Sequence, residues 1–322
     1  MADRAGRNWA WQQFWKADRV ASCVPATAST EEQINERWRG FFAGLAEGSR
    51  ILDIATGNGV LLRQAAATPV GESFELVGVD LAAIDPLRYS PGELDKHPNV
   101  RFIGGIDAAV LPFDDASFDV VVSQYGLEYA DLDAAFAEVE RVLRPGGRLH
   151  WLAHSENSEV VRQNHEQHRQ VDLLLAPNGP LDAMAKLVAR IRRGKNPGLA
   201  MTRLDKSMRA AEDFCRQHPP ANIITEVCSG LADTANRWQA YDPADLHTMV
   251  EHSRRALVAH RQRILDLGES VLRPEREAPV RARLTASSWQ SFDIAPFVAG
   301  SGDDPVGLLI DALRADSPGG DA

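Results

Sequence analysis

Short apolar runs alternate with helical stretches or turn residues through the middle of the chain. Runs of this length, rich in Val, Ile, Leu and Phe, are typical of strands that are buried on both faces of a parallel sheet. Two further runs, residues 292–300 and 306–314, predict a closing pair of strands. The pattern therefore predicts an α/β fold. The five earlier runs are residues 51–55, 74–80, 100–105, 118–125 and 148–154.

Helical periodicity dominates on either side of this region. Residues 7–47 predict two helices separated at Pro25, the second with a capped start at Thr30 to Gln33. Residues 156–275 contain no convincing strand and predict several helices broken at proline and glycine. The longest predicted helix runs from Ala244 to Leu272. Its apolar side would hold Leu246, Met249, Val250, Leu257, Ile264 and Leu267.

These patterns divide the chain into four predicted parts. Residues 1–47 form a helical segment with many aromatic side chains. We expect Trp9, Trp11 and Trp15 either to pack on the core or to cover the ligand as a lid. Residues 48–155 and 276–315 form the α/β core. A large helical insertion, residues 156–275, separates strands 5 and 6. Residues 316–322 form a flexible tail.

Composition narrows the class of protein. The chain has 322 residues, 25% of them charged, and a net charge of −10, which argues against non-specific binding to nucleic acid or anionic membranes. Its three cysteines, Cys23, Cys215 and Cys228, have no disulfide or zinc spacing. The first thirty residues lack the apolar core of a secretory signal, and no run is long enough to span a bilayer. We expect a cytoplasmic protein without a metal site.

A glycine turn follows the first predicted strand. In the sequence DIATGNG, Asp53 lies within the strand, and Gly57 and Gly59 let a ligand approach the backbone at the start of the next helix. The third glycine of a dinucleotide fingerprint is missing, since Leu62 stands in its place. The turn therefore predicts a cofactor site of another type.

Two further carboxylates follow the next strands. Asp80 closes the second strand about twenty residues after Gly59, where a carboxylate can accept hydrogen bonds from both hydroxyls of a ribose. Asp107 follows the third strand and could accept from an adenine amino group, with Ile106 or Ala108 against the ring. Together they predict a nucleoside site. A solvated aspartate at a strand end is the alternative for Asp80.

Four motifs in order carry a family resemblance: ILDIATGNG, VGVD, IDAAVLPFDDASFD and RVLRPGGRL. The chain resembles the class I S-adenosylmethionine (SAM)-dependent methyltransferases, in the branch that includes the ubiquinone and menaquinone methyltransferases. The resemblance covers about a hundred residues and the terminal strand pair. It implies a doubly wound sheet of seven strands, six parallel and the last antiparallel, with SAM as the cofactor. It implies little about the acceptor.

The resemblance also implies roles for individual residues. Asp53, Gly57 and Gly59 would surround the methionine part of SAM, Asp80 would hold the ribose, and Asp107 would hold the adenine amine. This chain departs from the family pattern at Ala55, where a glycine is usual, and after Asp80, where prolines replace a regular helix. The full predicted set is Asp53, Ala55, Thr56, Gly57, Gly59, Asp80, Leu81, Ile106, Asp107, Ala108, Gln124 and Tyr125.

The sequence gives fewer signals for the residues that would contact the methyl acceptor. His154 ends the fifth predicted strand, at the edge where α/β proteins bind ligands, and is our candidate catalytic base. A hydrogen-bonded histidine at the end of a strand is the alternative. Glu128 and Tyr129 follow the fourth strand and either contact the acceptor or start the next helix. His165 and His168 have metal-like spacing without a clear third ligand, so a solvated helix face is the better interpretation.

Residues 186–216 are basic in an otherwise acidic chain. They contain nine Lys and Arg residues against Asp205, Glu212 and Asp213. This contrast predicts an anionic acceptor, a phosphate-bearing carrier, or an acidic protein partner, with a solvated helix face as the common alternative. A homodimer through the helical insertion is a further alternative. Interleaved aromatic residues are missing, which disfavours nucleic acid.

Three functional hypotheses follow. The first is SAM-dependent methylation of a small molecule, with O-methylation slightly preferred over C- or N-methylation and an aromatic or anionic acceptor. The second is a SAM-binding scaffold without catalysis, because a fold can keep its shape after losing its chemistry. The third is an NAD-dependent oxidoreductase, against which the missing glycine and the position of Asp53 both argue.

Overall fold

A seven-stranded sheet forms the centre of the fold in a computed structural model of the protein. The structure describes residues 4–16, 28–218, 223–299 and 304–316. The strand order is β3-β2-β1-β4-β5-β7-β6, where the strands are β1 (Arg50–Ile54), β2 (Glu75–Asp80), β3 (Val100–Gly104), β4 (Phe118–Gln124), β5 (Leu143–Ala153), β6 (Trp289–Val298) and β7 (Pro305–Arg314).

Six strands are parallel and the last one along the chain is antiparallel. β7 pairs antiparallel with both β5 and β6, and the pairs among β1 to β5 are all parallel. This confirms the predicted fold class. The strand order reverses between β1 and β4, and in open α/β sheets ligands bind at the carboxyl ends of the strands beside such a reversal.

Helices flank the strands and fill the chain between β5 and β6. The N-terminal region contributes two helices, and α4 is a single turn in the proline-rich stretch after β2. The helices are α1 (Arg4–Trp15), α2 (Ala28–Ala43), α3 (Val60–Ala66), α4 (Pro86–Tyr89), α5 (Leu132–Val142), α6 (Glu159–Leu175), α7 (Pro180–Arg192), α8 (Gly198–Gln217), α9 (Ile223–Asn236), α10 (Pro243–Ser270) and α11 (Pro274–Leu284).

Three details of the sequence-based prediction are wrong. Thr30 is the third residue of α2 and not its cap, since the helix begins at Ala28. Met249 is 39% exposed, whereas the other apolar residues predicted for that face of α10 are buried. β5 begins at Leu143 and not at Arg148, because the turn-like Arg144 to Gly147 continues the strand through an irregular register against β4.

The chain divides into two compact units. One comprises residues 1–161 and 266–322, and the other comprises residues 162–265. In the first unit apolar side chains pack on both faces of the sheet, with Leu52, Phe136 and Trp151 buried on one face and Trp38, Phe42 and Leu62 on the other. The second unit has its own core, formed by helices alone.

The two chain segments that leave and re-enter the first unit lie side by side. The Leu272 amide donates a hydrogen bond of 2.9 Å to the His154 carbonyl oxygen. Val160 and Val161 form a buried cluster with Leu267 and Val271. The return of the chain therefore fixes the backbone at the end of β5.

Some sequence-based predictions fall outside the described residues. These are Cys23, the break at Pro25, the break at Pro219 and Pro220, and residues 317–322 of the predicted tail. Across the part of the chain that the structure describes, no helix combines the length and apolar character needed to cross a membrane.

Candidate functional site

The glycine turn after β1 is held by the side chain of Asp53. Thr56 Oγ1 donates a hydrogen bond of 2.6 Å to Asp53 Oδ2, and both side chains are buried. The Thr56 amide donates to the carbonyl oxygen of Val79 in β2. Gly57 has φ +53°, in the region that favours glycine. The turn thus places backbone amides beside the carboxyl ends of β1 and β2.

Asp80 organises the second part of the edge through its two carboxylate oxygens. Oδ2 accepts a hydrogen bond of 2.9 Å from the Gly57 amide, and Oδ1 accepts one of 2.7 Å from the Ala82 amide. A carboxylate has about four acceptor positions. Asp80 can therefore hold the glycine turn and still accept hydrogen bonds from a ligand.

The loop after β3 lies against the same edge. The Ile106 amide donates to the Asp80 carbonyl oxygen at 2.9 Å, and Asp107 Oδ1 accepts from the Ala109 amide at 3.0 Å. Ile106, Asp107 and Ala108 are partly buried, whereas Leu81 is 38% exposed. The predicted adenine residues are therefore next to Asp80 and accessible to a ligand.

Tyr125 follows β4 in a left-handed backbone conformation, with φ +55°. Its amide donates to the Leu152 carbonyl oxygen at 2.7 Å, and its hydroxyl donates to the Val306 carbonyl oxygen at 3.0 Å. These bonds connect the turn after β4 to β5 and β7. Gln124, the last residue of β4, is half-buried.

Gly126 permits the close approach of two turns. A Cβ atom at this position would lie 2.4 Å from Cβ of Ala55, which is a severe overlap. Ser123 Oγ connects the same turns by donating to the Ile54 carbonyl oxygen at 2.8 Å and accepting from the Leu127 amide at 3.0 Å. Sequence reasoning missed both residues, although the glycine after Gln124 and Tyr125 was a visible signal.

His154 and Glu128 form a fully buried pair. Glu128 Oε1 lies 3.0 Å from His154 Nδ1 and accepts from the His154 amide at 2.8 Å. Glu128 Oε2 accepts from Trp151 Nε1 at 3.1 Å. The edge of the Tyr125 ring packs on the His154 ring with centroids 4.4 Å apart. Two hydrogen bonds thus hold the Glu128 carboxylate, and the His154 ring is packed against Tyr125.

A distant part of the chain supports this pair. Arg276 on α11 donates a hydrogen bond of 2.9 Å to the Glu128 carbonyl oxygen. Sequence reasoning missed this contact, because 148 residues separate the two and no local pattern connects them.

The aromatic N-terminal helix lies on the glycine turn. Phe14 and Trp15 are buried in a cluster with Ala82, and Asn58 Nδ2 donates to the Trp15 carbonyl oxygen at 2.9 Å. The Trp15 ring is so close to Gly57 that a Cβ atom there would lie 2.4 Å from it. Trp9 is 38% exposed. The aromatic segment therefore covers the turn, and its function as a lid stays a prediction.

Burial changes the protonation of the acidic side chains at this edge. Burial raises the pKa of Asp53 to about 8, against the opposing hydrogen bond from Thr56 and with a smaller repulsion from Asp80. Burial also raises the pKa of Asp80 to about 6, although two backbone amides oppose the change. Both groups are thus poised for a cationic or hydrogen-bonding ligand that favours their ionised forms.

Burial shifts the pKa values of Glu128 and His154 in opposite directions. It raises the pKa of Glu128 to about 7, despite hydrogen bonds from the His154 amide and Trp151 and the charge of Arg276. It lowers the pKa of His154 to about 3, so the imidazole is neutral near pH 7. Glu128 is therefore the more basic group of the two while the pair is buried, and His154 accepts a proton only when its burial is relieved.

His165 and His168 lie on α6, in the second unit. His168 Nε2 lies 3.6 Å from Asp172 one helical turn along α6. Searched over the described ranges alone, the chain has no group of three or more His, Cys, Asp or Glu side chains arranged to hold a metal ion.

Fold and site together define a class of protein. The predicted cofactor residues follow the carboxyl ends of β1 to β4, on the strand order and antiparallel last strand described above. The core of the chain is similar to a class I SAM-dependent methyltransferase domain. Residues 51–147 match the family described as a methyltransferase domain.

Curated relatives match the same part of the chain. A ubiquinone/menaquinone biosynthesis C-methyltransferase of Teredinibacter turnerae is 35% identical over 151 residues, which is 42% of this chain and 59% of the relative. A demethylmenaquinone methyltransferase of Renibacterium salmoninarum is 36% identical over 150 residues, 42% of this chain and 58% of the relative. The chain thus spans less than two thirds of the length of these relatives.

A solved structure aligns over a larger share of the chain. The CurJ carbon methyltransferase covers 91% of this chain and 56% of its own, with 13% sequence identity and a TM-score of 0.46.

Proposed function

We propose that this protein transfers the methyl group of SAM to a small-molecule acceptor. The buried carboxyl groups of Asp53 and Asp80 on either side of the glycine turn carry the proposal. SAM brings a sulfonium and an ammonium to such a site, and its ribose hydroxyls are hydrogen-bond donors. A ligand of this kind compensates two carboxylates whose ionisation burial otherwise opposes.

Methyl transfer is an in-line displacement at the methyl carbon. The acceptor atom forms a bond to that carbon while the carbon–sulfur bond breaks, and the sulfur leaves with the electron pair as a neutral thioether. SAM supplies the reactive group, so the protein aligns the acceptor with the methyl group and excludes water. The aromatic side chains Trp11, Trp15 and Tyr129 are the proposed walls of that space, since the Trp11 ring contacts both of the other rings.

His154 is the proposed base, and Glu128 is its proposed positioning partner. A carboxyl group at Nδ1 orients the ring and stabilises the imidazolium that forms when the other nitrogen accepts a proton. Because His154 is fully buried, an acceptor reaches it only when the aromatic side chains around it move. The base is proposed to remove a hydroxyl proton from the acceptor.

The acceptor atom is proposed to be either a hydroxyl oxygen or a ring carbon activated by an adjacent ionised hydroxyl. The C-methyltransferase name of the Teredinibacter turnerae relative favours carbon over the oxygen preferred from the sequence. Both reactions need the same base. Mass spectrometry of the product separates them when the acceptor is deuterated on its ring, because only C-methylation removes a ring deuterium, whereas O-methylation removes the hydroxyl hydrogen.

Titration calorimetry with SAM, its demethylated product and NAD tests the cofactor. We expect SAM to bind in the micromolar range, and Asp80→Ala to weaken it by about 1.5–3 kcal/mol through loss of buried hydrogen bonds. Asp114→Ala, an exposed aspartate in the loop between β3 and β4, is the control. Binding of NAD without SAM would contradict the proposal.

Labelled SAM and a cell extract test the reaction itself. We expect the label on a small molecule, and a label on protein or RNA would refute that choice. His154→Gln should keep SAM binding and lose most of the turnover. SAM binding without turnover on any acceptor would favour the scaffold alternative.

A further inference from the structure

A groove lies between α7 and α8 in the second unit. Its volume is about 640 Å³, within the range of small-molecule sites. Five of its lining side chains are cationic: Lys186, Arg190, Arg193, Arg203 and Lys206. Its lining residues include no Asp or Glu.

Helical spacing explains how the groove forms. Residues 186, 190 and 193 are four and three positions apart along α7 and the residue after it, so they lie on one face. Arg203 and Lys206 are similarly spaced on α8. Four alanines complete the lining and are called the alanine floor here: Ala183 and Ala200, which are buried, and Ala189 and Ala210, which are exposed.

The cations of the groove differ in how far they are already paired. Lys186 Nζ lies 2.6 Å from Asp182 Oδ2, and Arg190 donates to the Asn196 carbonyl oxygen. Arg193, Arg203 and Lys206 form neither an ion pair nor a side-chain hydrogen bond with any residue that the structure describes. Three unpaired cations around one groove repel one another, so an anion in the groove would stabilise them.

We propose that this groove binds a small organic phosphate ester that carries an apolar group. Arginine forks pair with carboxylates and phosphates alike, but a phosphate ester offers three oxygens and up to two negative charges to the three cations, whereas a carboxylate offers two oxygens and one charge. The alanine floor and Leu199, which is 61% exposed, provide apolar surface for the rest of the ligand. The chain as a whole has a net charge of −10 and repels anions, so any preference for an anion comes from the cations of this groove.

Calorimetry on the full chain at physiological salt tests the groove, with octyl phosphate, inorganic phosphate and 1-octanol as probes. We expect octyl phosphate to bind at least tenfold more tightly than inorganic phosphate, and octanol not to bind. The combined change Arg193→Ala, Arg203→Ala and Lys206→Ala should weaken octyl phosphate at least tenfold. These side chains are exposed, and circular dichroism checks the fold of the variant.

A matched variant controls for general attraction of anions. Arg192→Ala, Lys195→Ala and Arg209→Ala remove the same charge from exposed positions of the same region that do not line the groove. We expect this variant to bind octyl phosphate within twofold of the unchanged protein. Equal weakening in both triple variants would show a non-specific surface and overturn the proposal.

A second variant tests whether the ligand needs the open volume of the groove, without changing its charge. Ala189→Trp fills the floor while every cation remains, and it should abolish octyl phosphate binding. Unchanged binding in this variant overturns the proposal. So does a lack of octyl phosphate binding in a chain that binds an acidic helical peptide. SAM binding is measured on the same samples, so failure here is distinguishable from failure of the proposed methyltransferase function.

Discussion

At the scale of single residues, the burial of Asp53 makes the stability of the folded protein depend on pH. Its pKa rises from the ordinary 3.8 to about 8 in the folded protein. Between these values the folded state holds a proton that the unfolded state has lost, so stability falls as pH rises through this window. A ligand cation that favours the carboxylate opposes this loss.

Asp53→Asn should remove that dependence. We expect the free energy of unfolding of the unliganded wild type, relative to the variant, to fall from pH 5 to pH 8 by up to about 1 kcal/mol per pH unit. Urea denaturation at four pH values measures it. Asp114→Asn makes the same chemical change at an exposed position and is the control. Parallel wild-type and Asp53→Asn curves would show that the prediction is wrong.

At the scale of elements, the contact between α1 and the glycine turn is the most specific one at the site. Trp15 packs on Gly57, whose φ of +53° already disfavours any other residue. The turn and the helix therefore constrain each other, although 42 positions separate Trp15 from Gly57 in the sequence.

Gly57→Ala should displace α1 and weaken SAM binding at least tenfold. The added Cβ overlaps the Trp15 ring and strains the turn, which together should destabilise the protein by about 1–3 kcal/mol. Tryptophan fluorescence measures the displacement of α1, and calorimetry measures the affinity for SAM. Gly40→Ala is the control: it has no atom within 4 Å of the new Cβ, and in a helix it should stabilise by about 0.5–1 kcal/mol. Unchanged fluorescence and SAM affinity in Gly57→Ala would contradict this account.

At the scale of the whole molecule, the two units have separate cores. Every hydrogen bond described for the cofactor residues is made within the first unit. The chain leaves and re-enters this unit at Val161 and Asp266, next to a shared apolar cluster of Val160, Val161, Leu267 and Val271. These ends are therefore close enough for a short connection.

Replacing residues 162–265 by a short Gly/Ser linker should leave SAM binding within about threefold of the full chain. The physical reason is that the glycine turn, Asp53 and Asp80 take their contacts from the first unit alone. Calorimetry with SAM measures this, and a cooperative thermal transition shows that the shortened chain folds. A folded variant that binds no SAM would place a cofactor contact in the deleted part.

The sequence by itself determined the positions of the strands and the fold class, and it predicted which sheet edge holds the cofactor. Buried parallel strands are continuous apolar runs in the sequence, so they could be predicted from the local pattern. Turns that contact a ligand need glycine and aspartate at fixed spacing, so Asp53, Gly57 and Asp80 could be predicted in the same way. Boundaries failed where local signals compete. The Arg-Pro-Gly-Gly turn signal at Arg144 suggested an interruption, yet pairing with β4 draws these residues into β5.

Only the tertiary structure decided which distant groups meet. Three contacts depend on how the chain returns across the sheet. Glu128 lies beside His154, Arg276 donates a hydrogen bond to the Glu128 carbonyl oxygen, and the Trp15 ring packs on Gly57. The raised and lowered pKa values follow from that burial, which no local pattern encodes. Local sequence fixes periodicity and turn chemistry, whereas contacts between remote residues arise only when packing brings them together.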